Sequence, residues 1–95
     1  MTKYYYEGHL IRSSKTRNDY RYALLRFKDD GTIVVYKCSS KREYCEQELE
    51  YRCKGETLSN QYGTPFEEAW HRYPISTGQL WKRASFKIVE LEVRA

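Results

Sequence analysis

The sequence lacks any long hydrophobic run. Its longest stretches of consecutive apolar residues have four members, at residues 22–25 and 33–36. A transmembrane helix needs about 20 such residues, and the core of a signal peptide needs about 7 to 15. The sequence therefore predicts a protein that has no membrane segment and resides in the cytoplasm.

Recognisable catalytic motifs are also missing. The chain has no glycine-rich phosphate loop, no dinucleotide fingerprint and no Ser-His-Asp arrangement. Its only two histidines, His9 and His71, each stand without a carboxylate at a spacing that would orient the ring. We therefore predict a protein that is not an enzyme. A small metal-independent ribonuclease, with these histidines as acid and base, is an alternative hypothesis.

Cysteine is scarce, and its pattern indicates neither disulfides nor zinc. Cys38, Cys45 and Cys53 are odd in number, and their spacing to one another and to His71 matches none of the usual zinc motifs. On one helix, the Cα atoms of Cys45 and Cys53 would lie about 12 Å apart, whereas a disulfide needs less than about 7 Å. We predict buried free thiols, no metal site and no cofactor.

Acidic residues are few in the first half of the chain. Residues 1–42 hold four of the thirteen Asp and Glu residues but ten of the seventeen Lys and Arg residues. They also hold six of the ten tyrosines. Cations interleaved with aromatic rings suit a phosphate backbone with exposed bases, or an aromatic-rich protein interface. The composition therefore predicts a small, basic, tyrosine-rich binding protein.

The strongest candidate site is the stretch from residue 12 to residue 22. It combines basic side chains with hydroxyl groups that suit phosphate oxygens. Tyr20 and Tyr22 are two residues apart, so in a strand both rings would project from one face and bases could stack on them. We predict that a phosphate-bearing ligand, first of all nucleic acid, binds here by electrostatic attraction and ring stacking. The predicted binding residues are Arg12, Lys15, Arg17, Tyr20, Arg21 and Tyr22.

A second class of function fits the same composition. Tyrosine and arginine are enriched at protein interfaces, so the alternative prediction is a protein-interaction module. An example is a small accessory or inhibitory protein of the kind that mobile elements encode, docking on a nucleic-acid-handling partner. Pairing of an edge strand at residues 4–6 would also allow a homodimer. The candidate partners are thus nucleic acid, another protein and a second copy of the chain.

The first part of the chain predicts three strands, at residues 3–13, 20–28 and 32–38. The turn at residues 29–31, Asp-Asp-Gly, is the clearest local signal. A three-residue turn sets Phe27 opposite Ile33 and Leu25 opposite Val35, which would bury four apolar side chains together. A two-residue turn sets Phe27 opposite Val34 and Leu25 opposite Tyr36. We favour the first register because it leaves Tyr36 for the other face.

The second part predicts two helices and a final strand. Ser40 and Glu43 have the spacing of a capping box, so a helix is expected at residues 41–54, with Gly55 as its stop signal. Residues 56–63 read as a loop. Pro65 favours a short helix at residues 65–71, and residues 86–93 alternate as a strand. The outer face of the long helix is acidic and should repel polyanions.

Together these elements predict an α+β fold in a single domain spanning residues 1–95. We expect an antiparallel sheet of four or five strands, in the order βββα, short α, then one or two β. One long and one short helix would cover one face of the sheet. Trp70 and Trp81 would anchor the core.

Overall fold

The computed structural model describes residues 1–16 and 19–94. They form six strands in two three-stranded antiparallel sheets, with three α-helices. The strands are β1 (Thr2–Tyr6), β2 (His9–Ser14), β3 (Tyr22–Phe27), β4 (Ile33–Ser39), β5 (Phe86–Glu90) and β6 (Glu92–Arg94). The helices are α1 (Arg42–Arg52), α2 (Lys54–Tyr62) and α3 (Ala69–Arg72). The α+β class is confirmed, but the expectation of one sheet with four or five strands is wrong.

Sheet A has the strand order β2-β1-β6, so β1 is its central strand. The predicted strand at residues 3–13 is in fact the β1–β2 hairpin, which turns at Glu7 (φ 47°) and Gly8 (φ 81°). Two consecutive residues with positive φ make a tight hairpin turn, and Glu-Gly is a weak sequence signal for it. Residues 4–6 are therefore not an edge strand, because β6 covers the side of β1 that faces away from β2.

Sheet B has the order β4-β3-β5. The favoured hairpin register is confirmed: Phe27 pairs with Ile33 and Leu25 pairs with Val35. The register then shifts, since Leu24 pairs with Lys37 and Tyr36 is the extra residue of a bulge. The expected burial of all four apolar side chains is wrong. Leu25 is fully buried, but Val35 remains 40% exposed.

The molecule has three layers, with sheet B in the middle. Ala23, Leu25 and Val89 form the buried cluster on the face of sheet B toward sheet A, where Tyr6 and Ile11 pack against them. Neighbouring strand residues point to opposite faces, so Leu24 points toward α1, which packs on β3 and β4. Leu24, Cys45 and Cys53 are all fully buried. Sheet B therefore has a core on each face.

The helical layer, formed by α1, α2 and α3, differs from the prediction at the ends of its helices. Lys41 is the N-cap of α1 and makes no side-chain cap hydrogen bond, so the box of Ser40 and Glu43 does not form. Gly55 does not stop the helix. It is buried near the start of α2, where an added Cβ would lie 3.0 Å from Leu80 Cδ2. The predicted loop at residues 56–63 is mostly helix, which ends at Gly63 with φ 68°.

The C-terminal part of the chain joins the layers. The predicted short helix appears as a 3₁₀ turn at Phe66–Glu68 followed by α3. The predicted strand at residues 86–93 divides at Leu91, whose backbone N–H donates to Arg21 O at 2.8 Å. Its two halves enter different sheets, β5 in sheet B and β6 in sheet A. The molecule is elongated, with extents of 47 × 27 × 17 Å.

The two tryptophans differ in environment. Trp81 is partly buried, whereas Trp70 on α3 is 59% exposed, so its assignment as a core anchor is wrong. A four-residue helix lying over α2 leaves one side open, and Trp70 lies on that side. Within residues 1–16 and 19–94, no helix combines the length and the apolar character needed to cross a bilayer.

Candidate nucleic-acid interface

Arg12 and Tyr20, two of the predicted binding residues, are in contact. The guanidinium carbon of Arg12, on β2, lies 4.7 Å from the centroid of the Tyr20 ring. The Tyr20 ring in turn meets the Tyr4 ring edge to face, with centroids 5.2 Å apart. Tyr4 is 1% exposed and fixes this stack to sheet A. The stack therefore holds a cation at the surface on a rigid aromatic support.

The other predicted residues are more dispersed. Lys15 is exposed just after β2, and Arg17 lies outside the described residues. The Nε atom of Arg21 lies 3.2 Å from Asp19 Oδ2, and both side chains are exposed. Tyr22 opens β3 opposite Ser39 and Glu90.

Tyr20 and Tyr22 do not form a joint stacking platform. Tyr20 precedes β3, so the alternation of a strand does not apply to it. Tyr22 borders a depression with Glu90 and Leu91, whereas Tyr20 borders a different one with Lys37 and Ser39. The two rings therefore line separate depressions, which both include Asp19.

Three residues that the sequence did not single out complete the surface around Tyr20. Lys37 and Cys38, from β4, and Tyr44, from α1, line a depression of about 390 Å³ together with Tyr20. Asp19, Ser39 and Ser40 also border it. The sequence offered one signal for these residues: Lys37 lies in a predicted strand that has no acidic residue. This signal points to a binding surface only when β4 is known to be an edge strand.

Arg12 of sheet A also affects Cys38 of sheet B. Burial raises the pKa of the Cys38 thiol above its ordinary value of 9.0, and the positive charge of the Arg12 guanidinium lowers it only in part. Cys38 is therefore a neutral thiol at pH 7, and a neutral thiol is a weak nucleophile. All three cysteines are free in the structure, and Cys45 and Cys53 are buried.

The strands β2 and β4 are edge strands of sheets A and B, and both border one groove. His9 and Leu10 from β2 face Ile33 and Val35 from β4 across a groove of about 290 Å³. The segments that contain these strands, residues 8–16 and 31–42, have no Asp or Glu. Four exposed cations, which we call the cationic edge, lie on or beside them: Arg12, Lys15, Lys37 and Lys41.

The cationic edge differs from the helical layer in how its charges are compensated. In the part of the chain that the structure describes, none of its four cations makes an ion pair with a carboxylate. In the helical layer the arginines pair with carboxylates, as in Arg42–Glu46, Arg52–Glu48, Arg72–Glu68 and Arg83–Glu50. Among the described residues, the positive charge of the cationic edge is therefore not offset by ion pairs, whereas that of these helical arginines is.

The two histidines lie in different layers. His9 begins β2 in sheet A, and His71 is on α3, where its ring meets the Trp70 ring at 4.9 Å. A ribonuclease site that used both would have to join these layers. Among the described residues, no group of three or more His, Cys, Asp or Glu side chains is placed to hold a metal ion.

The helical layer carries a second distinctive surface, made of exposed aromatic rings. Tyr62, at the end of α2, is 63% exposed, and Trp70 on α3 is exposed to a similar degree. The Tyr62 ring packs on Tyr73 at 5.8 Å, and the Tyr73 hydroxyl shares a 2.6 Å hydrogen bond with Thr64. We call Tyr62, Trp70 and Tyr73 the aromatic patch.

Comparisons of the chain with protein-family models, with curated proteins and with solved structures find no match.

Proposed function

We propose that the protein is a non-enzymatic nucleic-acid-binding protein whose cationic edge holds the phosphate backbone. The observation that supports this most directly is that four exposed cations lie on or beside two edge strands, β2 and β4, whose segments contain no carboxylate. Each cation that neutralises a phosphate releases a condensed counterion, which drives binding.

Arg12 is the central residue of this proposal. Its guanidinium is supported by the Tyr20 ring, so less conformational entropy is lost when it meets a phosphate. Lys15 and Lys37 are flexible point charges on either side. The hydroxyls of Ser13 and Ser40, both exposed, are donors for phosphate oxygens.

The proposed site keeps part of the sequence prediction and extends it. Arg12, Lys15 and Tyr20 remain, and Lys37 and Lys41 join them from β4 and its end. Arg21 contributes less, because its pair with Asp19 offsets its charge. Tyr22 contributes least, since it borders a depression that Glu90 also lines.

The proposal is tested by fluorescence anisotropy with labelled RNA and DNA oligonucleotides at several salt concentrations. Lys15→Gln and Lys37→Gln should each weaken binding several-fold and reduce the slope of log affinity against log salt by about 0.7 to 0.9. Lys54→Gln is the matched control, because it removes an equal charge from the exposed start of α2.

Two results would contradict the proposal. The first is an affinity that does not depend on salt. The second is an equal loss in all three variants, which would show that net charge alone determines binding.

The aromatic patch favours a second candidate, a module that docks on a protein partner. Exposed tryptophan and tyrosine side chains are the residues that most often dominate binding energy at protein interfaces. Tyr62 and Trp70 are the two most exposed of these large side chains on the helical layer. A partner that handles nucleic acid would fit both surfaces.

This candidate is tested by capture of a host partner on the immobilised protein. Trp70→Ser should abolish capture, and Lys37→Gln should leave it unchanged. If Lys37→Gln alone abolished capture, the contact would be made through the cationic edge, directly or through nucleic acid.

A further inference from the structure

A second cluster of cations and aromatic rings lies at the other end of sheet B. The guanidinium carbon of Arg26 is 4.1 Å from the centroid of the Trp81 ring and 5.9 Å from that of Tyr36. Its Nε donates to the Tyr36 hydroxyl at 3.1 Å. Its two terminal nitrogens donate to no protein atom among the described residues. Arg26 is thus held flat by aromatic rings while most of its donors stay available.

Arg26 borders a pocket of about 380 Å³, which is within the range of about 300 to 1,000 Å³ found for small-ligand sites. Trp81 and Phe66 supply aromatic surface to this pocket, and Lys82 Nζ lies 5.2 Å from the Phe66 centroid. Three cations line the pocket against one carboxylate: Arg26, Lys28 and Lys82 against Asp29. We call this the Arg26–Trp81 pocket.

The pocket is connected to the cationic edge by a row of side chains. The Tyr36 ring that contacts Arg26 also contacts Arg52, whose guanidinium carbon lies 4.7 Å from its centroid. Arg52 and Lys37 border the same depression of about 390 Å³ on α1. Lys37 belongs to the cationic edge. Glu48 partly offsets Arg52 at 3.1 Å, so this middle part is the least positive of the row.

We propose that the Arg26–Trp81 pocket holds an unpaired base together with its phosphate, which makes single-stranded nucleic acid the preferred ligand of the protein. The inference rests on the proposed function and specifies its substrate class. Aromatic rings stack on bases whose faces are free, and in a duplex those faces are covered by neighbouring base pairs. The forked donors of Arg26 suit a phosphate or a base edge.

Tryptophan fluorescence reports on this pocket directly. The chain has two tryptophans, so Trp70→Phe leaves Trp81 as the only one. A single-stranded DNA decamer should quench Trp81 emission and bind about tenfold more tightly than a duplex of the same sequence, as one stacked base would give. Equal affinity for the two ligands would overturn the inference, and so would binding without any change in emission.

Charge and stacking are separated by two variants and a control. Lys82→Gln should weaken single-strand binding several-fold, and Arg26→Lys should do the same because it keeps the charge but loses the flat fork. Lys87→Gln is the matched control: Lys87 Nζ also lies over a ring, 5.7 Å from the centroid of Tyr6 on sheet A, but Lys87 does not line the pocket. An equal loss in Lys82→Gln and Lys87→Gln would overturn the role of the pocket.

Failure of this inference is distinguishable from failure of the proposed function. If Lys37→Gln weakens binding but Lys82→Gln and Arg26→Lys do not, the cationic edge binds nucleic acid and the Arg26–Trp81 pocket does not. If no oligonucleotide binds, the proposed function itself is wrong. Adenosine monophosphate is the remaining probe. If the mononucleotide bound as tightly as the decamer, as measured by quenching of Trp81, the pocket would be a nucleotide site. The inference that it holds a base of a nucleic-acid strand would then be wrong.

Discussion

The cationic edge and the helical layer are built from similar numbers of basic residues, yet they present opposite surfaces. In α1, a carboxylate lies four residues before or after each arginine, so Arg42 meets Glu46 and Arg52 meets Glu48. In β2 and β4, the strand geometry directs neighbouring side chains to opposite faces, and no acidic residue is present to pair with Arg12 or Lys37. The net charge of +4 for the whole chain therefore does not describe the local charge of either surface.

This difference shows that the spacing of charges along the chain decides where a polyanion can bind. A helix brings residues four apart together and neutralises them locally. An edge strand without acidic residues leaves its cations unpaired. When two such strands border one groove, the positive charges of both act on the same ligand.

We expect the largest effect from a substitution that adds an acidic residue among the basic residues of β2, as in the charge pattern of α1. Ser13→Glu places a carboxylate between Arg12 and Lys15 on an exposed strand position. We expect oligonucleotide affinity to fall at least about tenfold, since the added negative charge repels the phosphates and offsets part of the nearby positive charge. Fluorescence anisotropy measures it.

The control for this change is Gln61→Glu, which adds the same charge to the exposed surface of α2. It should change the affinity less than about twofold, because exposed charges separated by more than about 10 Å are largely screened at 0.1 M salt. If the two variants lost affinity equally, the contrast between the two surfaces would have no functional meaning.

The second prediction separates stability from binding. In Gly55→Ala, the new Cβ would lie 3.0 Å from Leu80 Cδ2 and 3.1 Å from the Gln79 carbonyl oxygen. Alanine gains about 1 kcal/mol of helix propensity, but overpacking costs about 1 to 3 kcal/mol. We expect a net loss of about 1 kcal/mol in the free energy of unfolding, measured with urea, and unchanged oligonucleotide affinity.

Asn60→Ala, on the exposed side of α2, is the control, and it should be neutral or slightly stabilising. A stabilised Gly55→Ala variant would mean that the segment carrying Leu80 does not approach α2 this closely. A loss of affinity in Gly55→Ala would mean that the helical layer takes part in binding.

Local signals in the sequence predicted local structure well. Asp-Asp-Gly at residues 29–31 fixed the β3–β4 register, because Gly31 adopts φ 86° and Asp30 accepts a hydrogen bond from the Thr32 N–H at 2.9 Å. Gly55 gave a wrong prediction, the end of the long helix, because a glycine is a local signal with more than one meaning. A glycine at that point is equally consistent with a helix stop and with a close approach of another segment, and only the tertiary contact with Leu80 distinguishes them.

The candidate site was predictable only in part, because it is assembled from distant segments. Arg12 and Lys15 belong to one basic stretch, and sequence proximity was enough to group them. Lys37 joins them because β4 of one sheet borders the same groove as β2 of the other, a relation that no local pattern encodes. The division of the final strand at Leu91, which connects the sheets, is equally non-local.

The smallest predicted effect concerns the shortest ion pair of the helical layer, in which Arg83 Nη2 lies 2.7 Å from Glu50 Oε2. The hydrogen bond from Arg83 lowers the pKa of Glu50 below its ordinary value of 4.5. The stabilisation is thus present above pH 4.5 and is lost as the pH falls through the lowered pKa. Both side chains are exposed, so we expect only a few tenths of a kcal/mol. Between pH 6 and pH 3, wild type should lose that much more stability in urea unfolding than Glu50→Gln, and identical pH profiles would show that this pair does not hold in solution.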